Sequence, residues 1–157
     1  MSRGRLDACI LVALVVLSAC DRPPESSQAG ASELARGQGL YEVTCAACHQ
    51  PDGNGKAGVA SPLRDSEWVL GPEGRLVRIA LNGIHGPVVV RGKEYNLEMP
   101  AFGLVFSDEE LAATLTYVRQ AWGHKAPTVT AATVARWREA SRSRGDSWTA
   151  AELLGEE

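Results

Sequence analysis

Residues 45–49 read Cys-Ala-Ala-Cys-His, two thiols three positions apart with an imidazole directly behind the second. Residues three apart share one side of a helical turn, so both sulfurs can reach the two vinyl groups on one porphyrin edge. The histidine that comes next then turns its ring toward the iron as proximal ligand. This order is the sequence signal for covalent c-type haem attachment, and it predicts one haem c held by Cys45, Cys48 and His49. The competing chemistries lack their second halves. Zinc wants four ligands, and no second Cys or His pair stands at the usual spacing. A thioredoxin-like pair expects a βαβ context that the chain does not offer. A disulfide across two intervening residues would constrain very little.

A haem iron with one histidine leaves its sixth position to be settled. An open site binds gas or activates peroxide, whereas a filled one is suited to moving electrons. The chain has two methionines, and Met1 falls in a segment expected to be removed. That leaves Met99, in "NLEMPAFG", where Pro100 stiffens the loop presenting the sulfur. His85, in "NGIHGP", is the rival that would make a bis-histidine haem; a loop histidine beside glycines is more often solvent-facing. His124 comes after Gly123 and is expected to bond the carbonyl end of the preceding helix. Trp68 is read as packing, with a bond to a haem propionate as the alternative.

The loop behind the motif, "DGNGKAGVASPL", invites two other readings, and both fail. Asp52 and Asn54 look calcium-like, but Lys56 takes the fifth position and Leu63 stands where a bidentate glutamate is required. A phosphate loop needs a hydroxyl after its lysine, and Ala57 is there instead. The glycines are read as letting backbone pass close to a flat cofactor.

These residues need elements to position them. A helix is expected from Ser32, with Leu34, Gly37 and Tyr41 on one face. Gly37 and Gly39 each cost it about 1 kcal/mol relative to alanine, which hints at close packing there. "GPVVVRGKEYN" reads as a small hairpin turning at Arg91 to Lys93. The clearest helix is "SDEELAATLTYVRQAW": Ser107 and Glu110 form a capping box, Leu111, Leu115, Val118 and Trp122 make one stripe, and Gly123 closes it. Two shorter helices come after it, one around Val134 to Ser141 and one capped by Thr149 with Glu152. Strand content is too low for a βαβ architecture, so the expected class is all-α.

The chain's beginning bears on compartment. "MSRGR" is basic and residues 8–19 are an apolar run too short to span a bilayer, the form of a signal peptide. "LSAC", ending at Cys20, resembles the lipobox of bacterial lipoproteins, and that resemblance implies cleavage before Cys20 and lipid on it. Several acyl chains on one residue suffice for stable anchoring. Simple secretion is the alternative. Asp21 resembles the inner-membrane retention signal of enteric lipoproteins. Losing Arg3, Arg5 and Asp7 moves the net charge from −3 to about −4, which gives no reason to expect nucleic acid. With Cys9 discarded and Cys20 lipidated, only Cys45 and Cys48 remain in the folded part, too few for a disulfide framework.

From Ser32 to Gly123 the chain resembles the class I c-type cytochromes: a first helix, "CAACH", "SPL", "MPAF" and an amphipathic last helix. The resemblance implies that Gly37 and Tyr41 cross the last helix near Tyr117 and Leu115, and that Pro62 offers its backbone oxygen to His49. More specifically, "LNGIHGPVVVRGKEYNLEMPAFG", the "SDEELAATLTYVRQAWG" helix and the tail look like cytochromes beside, or fused to, periplasmic quinoprotein dehydrogenases. In those cytochromes an asparagine often stands at the place of His124. The expected organisation is a signal peptide (1–19), a lipid-anchored flexible linker (20–31), a cytochrome c domain (32–123) and a helical tail (124–157). The expected function is one-electron transfer on the periplasmic side of a bacterial membrane, through a His49/Met99-ligated haem, from a dehydrogenase toward a terminal oxidase. It is expected to be a carrier and not an enzyme, with redox proteins as partners. The alternatives are a haem enzyme or gas sensor with a labile sixth ligand, and a fixed subunit of a dehydrogenase docked through Trp137, Trp148 and the tail.

Overall fold

The computed structural model describes residues 25–155, with side chains from Gly30 onward. The expected signal peptide, Cys20 and Asp21 lie outside the described residues. No described helix is long and apolar enough to cross a membrane.

The frame is the crossing of α1 (Glu25–Thr44) with α5 (Asp108–Gln120). Gly37 makes it: a Cβ there would lie 2.6 Å from the carbonyl carbon of Ala113 and 3.1 Å from Cβ of Tyr117. Ala113, and not Leu115, is therefore the residue it meets beside Tyr117. One turn on, Tyr41 is fully buried, with its ring 5.4 Å from that of Tyr117. The helix starts at Glu25 and not at Ser32, so residues 25–31 of the expected linker are helical.

The α5 helix forms as its capping signal requires. Ser107 Oγ accepts from the Glu110 N–H at 3.2 Å, and the Glu110 carboxylate accepts from the Ser107 N–H at 3.0 Å. Asp108, Glu109 and Glu110 load the first turn with the charge that a helix N-terminus favours. Leu111, Leu115 and Val118 then bury one stripe against Leu76, Val77 and Ala80 of α4 (Glu73–Asn82). Fully burying one such side chain is worth about 1.5–3 kcal/mol. Trp122 does not continue the stripe. The helix ends at Gln120, and Trp122 lies in a 3-10 turn with φ 56° and ψ 25°.

Short elements fill in the rest: α2 (Ala46–His49), α3 (Glu67–Leu70), β1 (Ile84–His85), and a hairpin of β2 (Pro87–Val90) with β3 (Lys93–Asn96). The hairpin turn has positive φ at Arg91 and Gly92 (53° and 74°), the tight-turn geometry that suits strand twist. The Glu67 carboxylate accepts the Arg91 N–H at 3.0 Å and ties the turn to α3.

The tail packs into the same body. Two helices form as expected, α6 (Ala131–Ala140) and α7 (Ala150–Gly155), and Thr149 with Glu152 caps α7. Val129 and Val134 join the core of α4 and α5, and buried Arg119 of α5 donates to the carbonyls of Val69, Gly71 and Pro127. Between the tail helices lies an element outside the all-α expectation, β4 (Trp148–Thr149), which pairs in parallel with β1 (Ile84↔Trp148).

Candidate functional site

The attachment motif is one tight turn closing back onto α1. The Cys45 N–H donates to the Tyr41 carbonyl at 2.8 Å, and the His49 N–H to the Cys45 carbonyl at 2.9 Å. This leaves Cys48 exposed, Cys45 half-buried and His49 buried. Burial first, and Cys48 second, push the Cys45 thiol up to about 11.

His49 Nδ1 lies 3.0 Å from the Ser61 carbonyl oxygen. A carbonyl only accepts, so Nδ1 carries the proton and Nε2 keeps the lone pair a metal needs. The expected partner was the Pro62 carbonyl; the path of the loop presents the preceding carbonyl instead, and Pro62 lines the neighbouring cavity. Burial holds the imidazole below its ordinary pKa, opposed by the Ser61 bond.

Loop geometry explains that register. The Gly55 N–H donates to the His49 carbonyl, and the Gly53 carbonyl accepts from Leu63 and Arg64. Both glycines have positive φ. A Cβ on Gly53 would stand 2.7 Å from the Trp122 ring, and one on Gly55 2.6 Å from the Ala60 oxygen. Neither glycine lines the cavity, so their close approach is to Trp122 and to the loop itself rather than to a flat cofactor. Trp122 ties this loop to the helix crossing: its Nε1 donates to the Pro51 carbonyl at 3.1 Å, and its ring meets Tyr41 and Tyr117. Asp52 accepts the backbone N–H and side-chain amide of Asn54, which accounts for its calcium-like look.

One apolar cavity joins the predicted residues. Cys45, Cys48, His49 and Pro62 line it from the motif side, and Met99 lines it from the loop after β3. Leu76, Ile79 and Ala80 of α4, Leu111, Leu115 and Val118 of α5, and Val88, Val90 and Tyr95 of the hairpin form walls; among the described residues no Lys or Arg lines it. Met99 is held by a reciprocal backbone pair with Ile84, at 2.9 and 3.1 Å. Gly83 permits this, since a Cβ there would collide with the Met99 carbonyl oxygen. Apolar walls, two thiols, an imidazole with a free Nε2 and a thioether are a donor set that fits a covalently held haem. Among the described residues no group of three or more His, Cys, Asp or Glu is placed to hold a bare metal ion, against the zinc reading.

The rivals stand elsewhere. His85 is exposed, with Nδ1 2.8 Å from the Ser147 hydroxyl, and does not line the cavity. His124 sits at the end of α5 as expected: its Nδ1 lies 3.0 Å from the Val118 carbonyl, and its Nε2 accepts the Asp65 N–H. Trp68 does line the cavity, but its indole N–H is given to the Val89 carbonyl at 2.7 Å rather than kept for a propionate. The hairpin wall of Val88, Val90 and Tyr95 was not foreseen from sequence, because the unbroken run Val88-Val89-Val90 carries no alternation to say which face turns inward.

This fold around this cavity defines a cytochrome c domain, and electron transfer is its chemistry. The chain belongs to the family described as cytochrome C oxidase, cbb3-type, subunit III, whose model matches residues 32–118. Homologues in this family bind covalent haem c, and Cys45 and Cys48 stand in the corresponding positions. Cytochrome c-552 of Thermus thermophilus is 38% identical over 93 residues, covering 57% of this chain and 70% of that protein. The gluconate 2-dehydrogenase cytochrome c subunit of Pantoea cypripedii is 35% identical over 121 residues, 73% of this chain and 25% of that subunit. The alcohol dehydrogenase (quinone) cytochrome c subunit of Komagataeibacter europaeus is 33% identical over 106 residues, 66% of this chain and 22% of that subunit. The chain thus spans a quarter or less of the dehydrogenase subunits it matches.

Proposed function

We propose that the protein carries single electrons on the periplasmic side of a bacterial membrane, held there by lipid on Cys20. In this reading Cys45 and Cys48 bind one haem c, His49 and Met99 ligate its iron, and electrons pass from a dehydrogenase toward a terminal oxidase. The observation that carries it is the shared cavity: His49 and Met99, distant in sequence, both line it, and His85 stands outside.

The haem supplies a one-electron centre, and a methionine ligand raises its potential, which suits delivery to a high-potential acceptor. The chain's own residues do the rest. The Ser61 carbonyl fixes the His49 ring by accepting a hydrogen bond from Nδ1–H, and burial disfavours the charged imidazole. The apolar walls would keep water from an iron held by His49. Cys48 is exposed, so the attachment side of the cavity is open to solvent, and contacts with redox partners there would be small and transient. The dehydrogenase subunits among the relatives support a dehydrogenase as donor. They also favour a second reading, a fixed subunit of such a complex. Against docking through the tail, Trp148 is buried and Trp137 packs on the core.

The test is an optical spectrum of protein matured with haem, oxidised, then reduced with and without carbon monoxide. A methionine–iron charge-transfer band that vanishes in Met99→Leu, with no carbon monoxide shift in the parent, is the expected result. An unchanged spectrum in Met99→Leu removes Met99 as ligand. Ready carbon monoxide binding by the parent makes the protein a haem enzyme or sensor instead.

A further inference from the structure

The loop carrying Met99 is gripped by the C-terminal segment at two points. Arg138 of α6 reaches across to it: its guanidinium donates to the carbonyls of Gly103 and Phe106, and pairs with Asp108 at 2.7 Å. All three of its nitrogens are thereby committed, and the strand of chain from Met99 to Asp108 is pinned at its far end. At the near end Ile84 stands between Met99 and Trp148. It bonds the first through both backbone groups and pairs with the second as neighbouring strands. Met99 itself packs against the buried cluster that includes Trp148 and Leu153, both from the tail.

We infer that this C-terminal segment, through Arg138 and β4, is a positioning clamp that presses the Met99 loop toward the cavity and sets how readily the sixth iron position opens. The inference rests on Met99 being the sixth ligand. Held by its backbone bonds to Ile84, Ala80 and Leu81 alone, the loop would sample open positions more readily, and each opening would expose the iron to an outside ligand. Arg138 opposes this because charge-assisted bonds to fixed carbonyls hold better than neutral ones and lock geometry as well as distance. Its role is positioning, since none of its atoms lines the cavity.

Imidazole binding to the oxidised, full-length holoprotein reads the clamp directly, because imidazole competes with the sulfur for iron. Met99→Ala gives the fully open site. Arg138→Gln, losing charge-assisted bonds, is expected to raise imidazole affinity on the order of 10-fold above the parent. Asp108→Asn should move it the same way by less, and serves if Arg138→Gln does not fold. Val129→Ala is the control: it trims a tail side chain buried in the core of α4 and α5 that does not line the cavity, and should lose stability with imidazole affinity unchanged. If Met99→Ala leaves imidazole binding as in the parent, the ligand assignment falls and the clamp with it. If Met99→Ala opens the site but Arg138→Gln behaves like Val129→Ala, the clamp alone is overturned.

Discussion

Two glycines one turn-fraction apart in α1 should respond to the same substitution with opposite signs. At Gly37 a methyl group meets backbone: 2.6 Å to the Ala113 carbonyl carbon, where carbon atoms prefer about 3.5–4.0 Å. The α1 and α5 helices must therefore separate by about 1 Å at their crossing. Backbone cannot swing aside as a flexible side chain would, so the cost belongs near the upper end of the usual overpacking range, about 3 kcal/mol. Alanine recovers about 1 kcal/mol of helix propensity. Gly37→Ala is thus expected to lose about 2 kcal/mol net, a fall in Tm of roughly 6–8 °C for a domain of this size. At Gly39 a Cβ meets nothing within 4 Å. Only the propensity term acts there, and Gly39→Ala should gain about 0.5–1 kcal/mol. Urea and thermal unfolding of the reduced holoprotein, followed by far-ultraviolet circular dichroism, measure both. A Gly37→Ala protein as stable as the parent, or two variants shifting together, would refute the close helix crossing.

Trp122→Ala removes the ring that covers Gly53 and the Nε1 bond to Pro51. It should cost about 2–3 kcal/mol, below a fully buried tryptophan, and speed amide exchange at Gly53 and Gly55. Glu152 is held down to about 2 by Arg144 first and Thr149 next. A lowered folded-state pKa means stability that is present above the unfolded value near 4.5 and lost as pH falls toward about 2. Glu152→Gln should flatten the acid limb of the stability curve in that window, and a parent-like limb in acid titrations monitored by tryptophan fluorescence would count against it.

Where the chemistry depends on residue type and spacing, the sequence was readable. Cys45, Cys48 and His49 share one turn because their spacing is that of a helical turn, and Met99, the one thioether left once Met1 is set aside, lines the same cavity. Capping boxes at Ser107 and Thr149 were readable because their partners lie three residues away. What escaped depends on the path of the chain between such points. The Ser61 carbonyl reaches His49 instead of that of Pro62 because Gly53 and Gly55 tighten the loop, and local composition does not encode that register. Trp122 keeps the helical spacing of Leu115 and Val118, yet the chain leaves the helix at Ala121 because its ring is worth more folded over Tyr41 and the loop. The β1–β4 pair is two residues long, too short for any alternation to register.

The position of the tail gives the site its logic. Among the described residues the buried side chains form two apolar clusters: one, around Tyr41, Leu76 and Leu115, packs Cys45, and the other, around Ile79, Ile84 and Trp148, packs Met99. The cavity runs between them and is walled by members of both. An apolar group held there would be lined by residues of both clusters, so its binding would add apolar contacts to each. The tail contributes to both sides, Val134 to the first cluster and Trp148 with Leu153 to the second. It therefore packs on both of the clusters that line the cavity shared by His49 and Met99, which is why the inferred clamp would be felt at an iron held by both.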